Sequence, residues 1–106
     1  IMHPEIRKQW VKDLRSGKFK QSRGELFNSS GYCCLGVLAT QHPSVDTKRI
    51  GESLKLLSGG EMNGTLCNDV RAWCGLSMSD QTKLVTLNDS GKQDFKQIAD
   101  YIEEKL

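Results

Sequence analysis

Ile6, Trp10 and Leu14 recur at four-residue intervals, and Val11 widens the stripe. This is the spacing of one buried helix face. The pattern predicts a first helix from about Pro4 to Ser16. Pro4 suits a first turn, where its missing N–H would have had no partner, and Gly17 can take the left-handed conformation that stops a helix. Residues 18–32 lack such a period and are expected to be irregular or extended. Asn28-Ser29-Ser30-Gly31 is a turn signal between Leu26-Phe27 and Tyr32, which leaves room for a small β-hairpin near residues 25–33. Residues 33–40 (CCLGVLAT) are apolar on all sides. That predicts a buried helix at the centre of the core, with a buried strand as the competing reading, and Pro43 ends the element.

Beyond it, Ile50, Leu54 and Leu57 fall on one helical face, which predicts a helix over 47–57 capped by Asp46 and stopped by Gly59-Gly60. Residues 58–66 are expected to form a loop, with Asn63-Gly64 as a turn. Asn68 is the expected cap of a short helix over 69–74, with Val70 and Trp73 inward. Ser79 is the expected cap of another over 80–87, carrying Leu84 and Leu87. Asn88-Asp89-Ser90-Gly91 breaks that helix. Asp94 opens the last one, with Gln97 three residues on as in a capping box. Phe95, Ile98, Ala99, Ile102 and Leu106 give this helix the clearest amphipathic stripe in the chain. The expected fold class is therefore mainly α: a compact bundle of about five short helices in a single domain over residues 1–106.

The length of 106 residues suits one modest core. At 37% apolar residues, that core must come from a few concentrated stretches. No apolar run approaches the ~20 residues a membrane span needs, no secretory signal opens the chain, and Met2 reads as the natural start. Net charge is +2, but it is unevenly spread. Between Glu5 and Arg23 seven basic residues (Arg7, Lys8, Lys12, Arg15, Lys18, Lys20, Arg23) face two acids, Glu5 and Asp13. This is either a solvated helix face or a surface for an anionic partner: nucleic acid, nucleotide or acidic protein. With no export signal, Cys33, Cys34, Cys67 and Cys74 are expected to be reduced thiols in a cytoplasm.

Three segments taken together resemble a widespread family of small uncharacterised proteins of tailed phages and prophages. They are residues 10–17 (WVKDLRSG), residues 31–38 (GYCCLGVL), and residues 87–91 (LNDSG) leading into residues 95–103 (FKQIADYIE). Gln21 continues the first motif, and residues 73–76 (WCGL) supply a further one. The likeness runs through nearly the whole chain and is weakest over residues 41–66. Ala39 stands where the family often carries another cysteine. The resemblance implies a viral accessory gene acting in a bacterial cytoplasm, in a setting where small proteins modify host processes or counter host defences. It implies no mechanism.

The residues themselves offer four candidate chemistries. A zinc site from the four cysteines and His42 would need knuckle-like spacings, whereas these cysteines are adjacent or seven apart; small buried thiols explain them as well. A cysteine hydrolase would use Cys33 or Cys34 with His42 or His3 as base, but no oxyanion or orienting group is identifiable. Asn88 and Asp89 lie in a polar turn that either contacts a ligand or simply stops a helix. The glycine-punctuated stretch from Arg15 to Gly24 is either a solvated turn or a phosphate-holding loop. The leading expectation is a non-enzymatic phage accessory protein without a cofactor. It would bind a host bacterial protein or a nucleotide-like anionic small molecule through Arg15, Gln21, Arg23, Asn88 and Asp89. Nucleic-acid binding by the basic first helix and a small cysteine hydrolase are the other two classes, and pairing with a second copy is compatible with so small a core.

Overall fold

A computed structural model describes residues 2–22, 26–28, 31–43, 45–50, 53–56, 61–62, 66–89 and 93–106. The protein is mainly α, with helices α1 (Pro4–Ser16), α2 (Cys34–Ala39), α3 (Asn68–Cys74), α4 (Met78–Asp89) and α5 (Phe95–Lys105). A two-stranded hairpin pairs β1 (Phe27–Asn28) with β2 (Gly31–Tyr32). A three-stranded antiparallel sheet of order β3-β4-β5 is formed by Val45–Ile50, Ser53–Leu56 and Glu61–Met62.

The first and last helices form as their patterns predict. α1 starts with the His3 Nδ1 accepting from the Ile6 N–H at 3.5 Å, and Gly17 ends it at φ 79°. α5 has a complete capping box: Asp94 accepts from the Gln97 N–H at 2.8 Å, and Gln97 returns an acceptor to the Asp94 N–H at 3.0 Å. These two helices pack along each other, burying Trp10, Val11 and Leu14 against Phe95, Ile98, Ala99 and Ile102. The residues 33–40 segment is helical, and every residue of α2 is buried. The hairpin also lies where the turn signal put it.

Two expectations fail. The helix over 47–57 is instead the hairpin β3–β4, with Val45 opposite Leu56 and Ile50 opposite Ser53. Asp46 is accordingly a strand residue rather than a helix cap. The i, i+4, i+7 spacing of Ile50, Leu54 and Leu57 was coincidental. Val45, Thr47 and Ile50 are β-branched and favour the extended strand. The loop expected over 58–66 contributes β5, with Met62 opposite Leu54; residues 57–60 and the Asn63-Gly64 turn lie outside the described residues. Smaller shifts concern caps. Cys67, not Asn68, is the N-cap of α3, and Ser77 Oγ, not Ser79, receives the Asp80 N–H at 3.1 Å at the start of α4.

Two close backbone approaches fix how the hairpin meets the helices. A Cβ on Gly31, at φ +144°, would overlap the carbonyl of Lys20, and one on Gly36 would overlap the carbonyl of Leu26. The strand-like segment at Lys20–Ser22 therefore runs directly against β2, with Tyr32 N–H on Lys20 O at 2.8 Å and Ser22 N–H on Tyr32 O at 2.7 Å. Leu26 crosses α2 at its glycine and takes the Cys33 N–H at 3.0 Å.

Candidate functional site

α2 is a short helix without a capping side chain of its own: its N-cap is Cys33, which makes no side-chain cap bond. Its first N–H, on Cys34, is instead received by Asn88 Oδ1 at 3.3 Å, from the end of α4. Asn88 is fully buried. The same oxygen accepts from Gln21 Nε2 at 3.0 Å, and Asn88 Nδ2 donates to Ser22 O and to Asp89 Oδ1, both at 2.9 Å. Gln21 also donates to the Gln93 carbonyl at 2.7 Å. On the other side of Cys34, the indole N–H of the fully buried Trp10 donates to its carbonyl at 2.8 Å. Trp10 from the first recognised motif and Asn88 from the last thus meet at Cys34 in the second, each satisfying a backbone group that burial would otherwise leave without a partner.

Of the five residues singled out from sequence, the fold joins three, Gln21, Asn88 and Asp89, in this internal network. Asp89 is half-buried at its rim. Arg15 stands apart, on the solvent side of α1. Its guanidinium reaches Asp100 Oδ1 at 2.6 Å and Glu103 Oε2 at 3.1 Å on α5. Hydrogen bonds to Glu103 and then Asp100 push its pKa above the ordinary value. Arg15 and Gln21 do share the wall of a small cleft of about 270 Å³ with Phe19, Asp94 and Phe95. Arg23 lies outside the described residues.

The thiols are placed as packing groups. Cys33, Cys34 and Cys74 are buried and Cys67 is half-buried, all four unbridged. Burial pushes the Cys33 thiol up to about 11, the Cys34 thiol well above its ordinary value and the Cys74 thiol upward. A nucleophilic cysteine needs the opposite shift. The His42 ring stands edge-on to Trp73, centroids 4.9 Å apart. Trp73 is half-buried against the core rather than an anchor within it. Among the described residues, no three His, Cys, Asp or Glu side chains gather to hold a metal ion, and no helix is long and apolar enough to cross a membrane.

What remains open to solvent is charge. Lys8, Lys12, Lys18 and Lys20 are exposed and Arg7 half-buried. Lys8, Lys12 and Arg15 follow one another at helical spacing along one side of α1. Among the described residues no carboxylate lies within ion-pair distance of Arg7, Lys8, Lys12, Lys18 or Lys20. An open cleft of about 460 Å³ runs beside them, lined by Pro4, Glu5, Arg7, Lys8, Val11 and Glu103.

Over residues 2–106 the chain matches a family described as a domain of unknown function, DUF8296. The protein belongs to that family. Neither the curated proteins nor the solved structures include a match to it.

Sequence reasoning named Gln21, Asn88 and Asp89 as ligand contacts and missed that Asn88 joins the other two and caps α2 at the Cys34 N–H. One signal was available. Gln81, Leu84 and Asn88 share one face of α4, and all three are buried, so two polar residues occupy core positions of this helix. A polar residue in a core stripe has to find a partner inside the protein.

Proposed function

We propose that this DUF8296 protein is a phage-encoded accessory protein, non-enzymatic, that binds an acidic host protein in the bacterial cytoplasm through the basic side of α1 and the segment after it. The observation that carries the reading is the contrast between Arg15, saturated by two carboxylates, and its neighbours Arg7, Lys8, Lys12, Lys18 and Lys20, which have none among the described residues. Unpaired cations of one sign on a rigid helix steer an acidic partner and set its register more than they supply raw affinity. The phage setting rests on the motif resemblance alone. Modulation of a host process such as defence is the role that setting suggests.

An anionic small molecule, such as a nucleotide, is the second reading the same cations allow. The open clefts favour a protein surface over it, because small-molecule sites enclose most of their ligand. Nucleic acid is the third reading, and Asp100 and Glu103 on α5, by taking up Arg15, leave it one cation fewer for counterion release from a phosphate backbone. Hydrolysis by Cys33 or Cys34 is disfavoured by thiols held protonated through burial.

The test is affinity capture from host lysate with the tagged wild type and with a Lys8→Glu, Lys12→Glu, Lys18→Glu, Lys20→Glu variant, retained proteins and small molecules both being identified by mass spectrometry. One stoichiometric protein kept by the wild type and lost by the variant is the expected result. Equal retention by both would remove the basic side from the binding surface. Retained nucleic acid, with affinity falling steeply as salt rises, would replace the proposal with the nucleic-acid reading.

A further inference from the structure

Met78 opens α4 with its side chain 58% exposed, the one large apolar side chain left so open among the described residues. Three residues on, Gln81 is 2% exposed. Its amide oxygen accepts from the Leu66 N–H at 2.9 Å. That bond fixes which end of the amide is oxygen, so the nitrogen faces the other way, where it donates to Met78 Sδ at 3.5 Å. Among the described residues this sulfur is the only acceptor the Gln81 nitrogen has. A thioether is a weak acceptor, whereas buried polar groups normally hold a full-strength partner. The same sulfur is open to reagents in solution.

A peroxide oxidises a thioether without help from an ionisable group. A sulfur lone pair attacks one peroxide oxygen, the O–O bond breaks, and the displaced hydroxide takes the proton of the transferred oxygen and leaves as water. Sulfur is oxidised by two electrons to the sulfoxide, and the peroxide is reduced. In an apolar core the polar product is disruptive. At Met78 the balance is reversed. The side chain already lies more than half in water, and the polar group beside it is a buried donor held by a weak acceptor. The rotatable bonds of methionine let the new oxygen turn towards the Gln81 N–H.

We propose that Met78 is a reversible oxidation site: peroxide converts its thioether to the sulfoxide, and the sulfoxide oxygen replaces the sulfur as acceptor for the buried Gln81 amide. Oxidation then tightens the tie from the start of α4 to Leu66, just ahead of α3, instead of loosening the fold. Met2, at 5% exposed, is shielded from the same reagent, and Cys33, Cys34 and Cys74 are buried. The site does not involve the basic side of α1, and either reading can fail without the other.

The test treats the folded, ¹⁵N-labelled protein with hydrogen peroxide at pH ~5, where thiols stay protonated and slow to react. Oxygen addition is mapped by peptide mass spectrometry. Met78 should take up one oxygen before Met2 does. The side-chain amide protons of Gln81 should move downfield, and the melting midpoint should rise by about 2–4 °C. Methionine sulfoxide reductases, one for each sulfoxide epimer, should return mass, shift and midpoint to their starting values. Met78→Leu alters an exposed position and keeps the fold by circular dichroism. Under the same treatment it should show neither the Gln81 shift nor the rise. Equal oxidation at Met2, an unmoved Gln81 amide, a midpoint that stays level or falls, or a product the reductases cannot restore would each overturn the proposal.

Discussion

Replacing Asn88 by alanine separates a structural role from a ligand-contacting one. The side chain makes four hydrogen bonds inside the protein. Without it the Cys34 N–H, at the first turn of a fully buried helix, loses its capping acceptor. Gln21 keeps the Gln93 carbonyl, whereas Ser22 O and Asp89 Oδ1 each lose a donor. A buried polar group deprived of its partner costs about 1–3 kcal/mol, and loss of a helix cap is worth about 1 kcal/mol. These two figures describe the same Cys34 N–H and do not add. With the weakened Ser22 and Asp89 contacts, the sum comes to roughly 3 kcal/mol, a large part of the ~5–15 kcal/mol that holds a domain of this size. At about 4–8 °C per kcal/mol for a chain of this length, the melting midpoint should fall by roughly 12–24 °C. Thermal unfolding by circular dichroism, with urea titration at fixed m-value, measures it. Asn88→Asp is the companion variant. It keeps an acceptor for Cys34, loses both donations and sets a second carboxylate beside Asp89, so its deficit should grow as pH rises through the carboxylate range. An Asn88→Ala protein within ~1 kcal/mol of wild type that has lost its partner would refute the capping argument and return Asn88 to the binding surface.

Gly36→Ala should be destabilising although alanine gains about 1 kcal/mol of helix propensity over glycine. The new methyl would overlap the Leu26 carbonyl, and overpacking of this kind costs about 1–3 kcal/mol; a urea midpoint at or above wild type would show that the hairpin can move aside. Iodoacetamide at neutral pH followed by peptide mass mapping should modify Cys67 first and leave Cys33 and Cys34 untouched until the protein unfolds, and early labelling at Cys33 would revive the nucleophile reading. Because burial raises the Cys33 thiol from 9.0 to about 11 in the folded state, the stability it contributes is fully present below pH ~9 and is lost as pH rises through about 11. At ~1.4 kcal/mol per tenfold, that is about 3 kcal/mol. Urea unfolding between pH 8 and 11 should show the decline, and a Cys33→Ser variant should make it shallower, the remainder coming from Cys34 and Cys74.

Where a helix carried its own instructions, the sequence determined it: the Ile6–Trp10–Leu14 stripe between Pro4 and Gly17, the capping box at Asp94 and Gln97, and the all-apolar run into α2 are local signals, and each became the element it predicts. Over 45–62 the local signals conflicted. An apolar spacing compatible with a helix ran through β-branched residues and Gly51, and strand pairing, a contact between distant residues, settled it. The candidate site divides the same way. Sequence showed that Gln21, Asn88 and Asp89 were polar residues in specific places. Only the tertiary structure brought Asn88 to the Cys34 N–H fifty-four positions away, since a buried donor accepts whichever partner the packing delivers. It also decided the fate of the charges. Seven basic residues near one end are visible in the sequence, but their pairing depends on α5 lying against α1. That packing neutralises Arg15 with Asp100 and Glu103 and leaves Lys8 and Lys12 open to solvent.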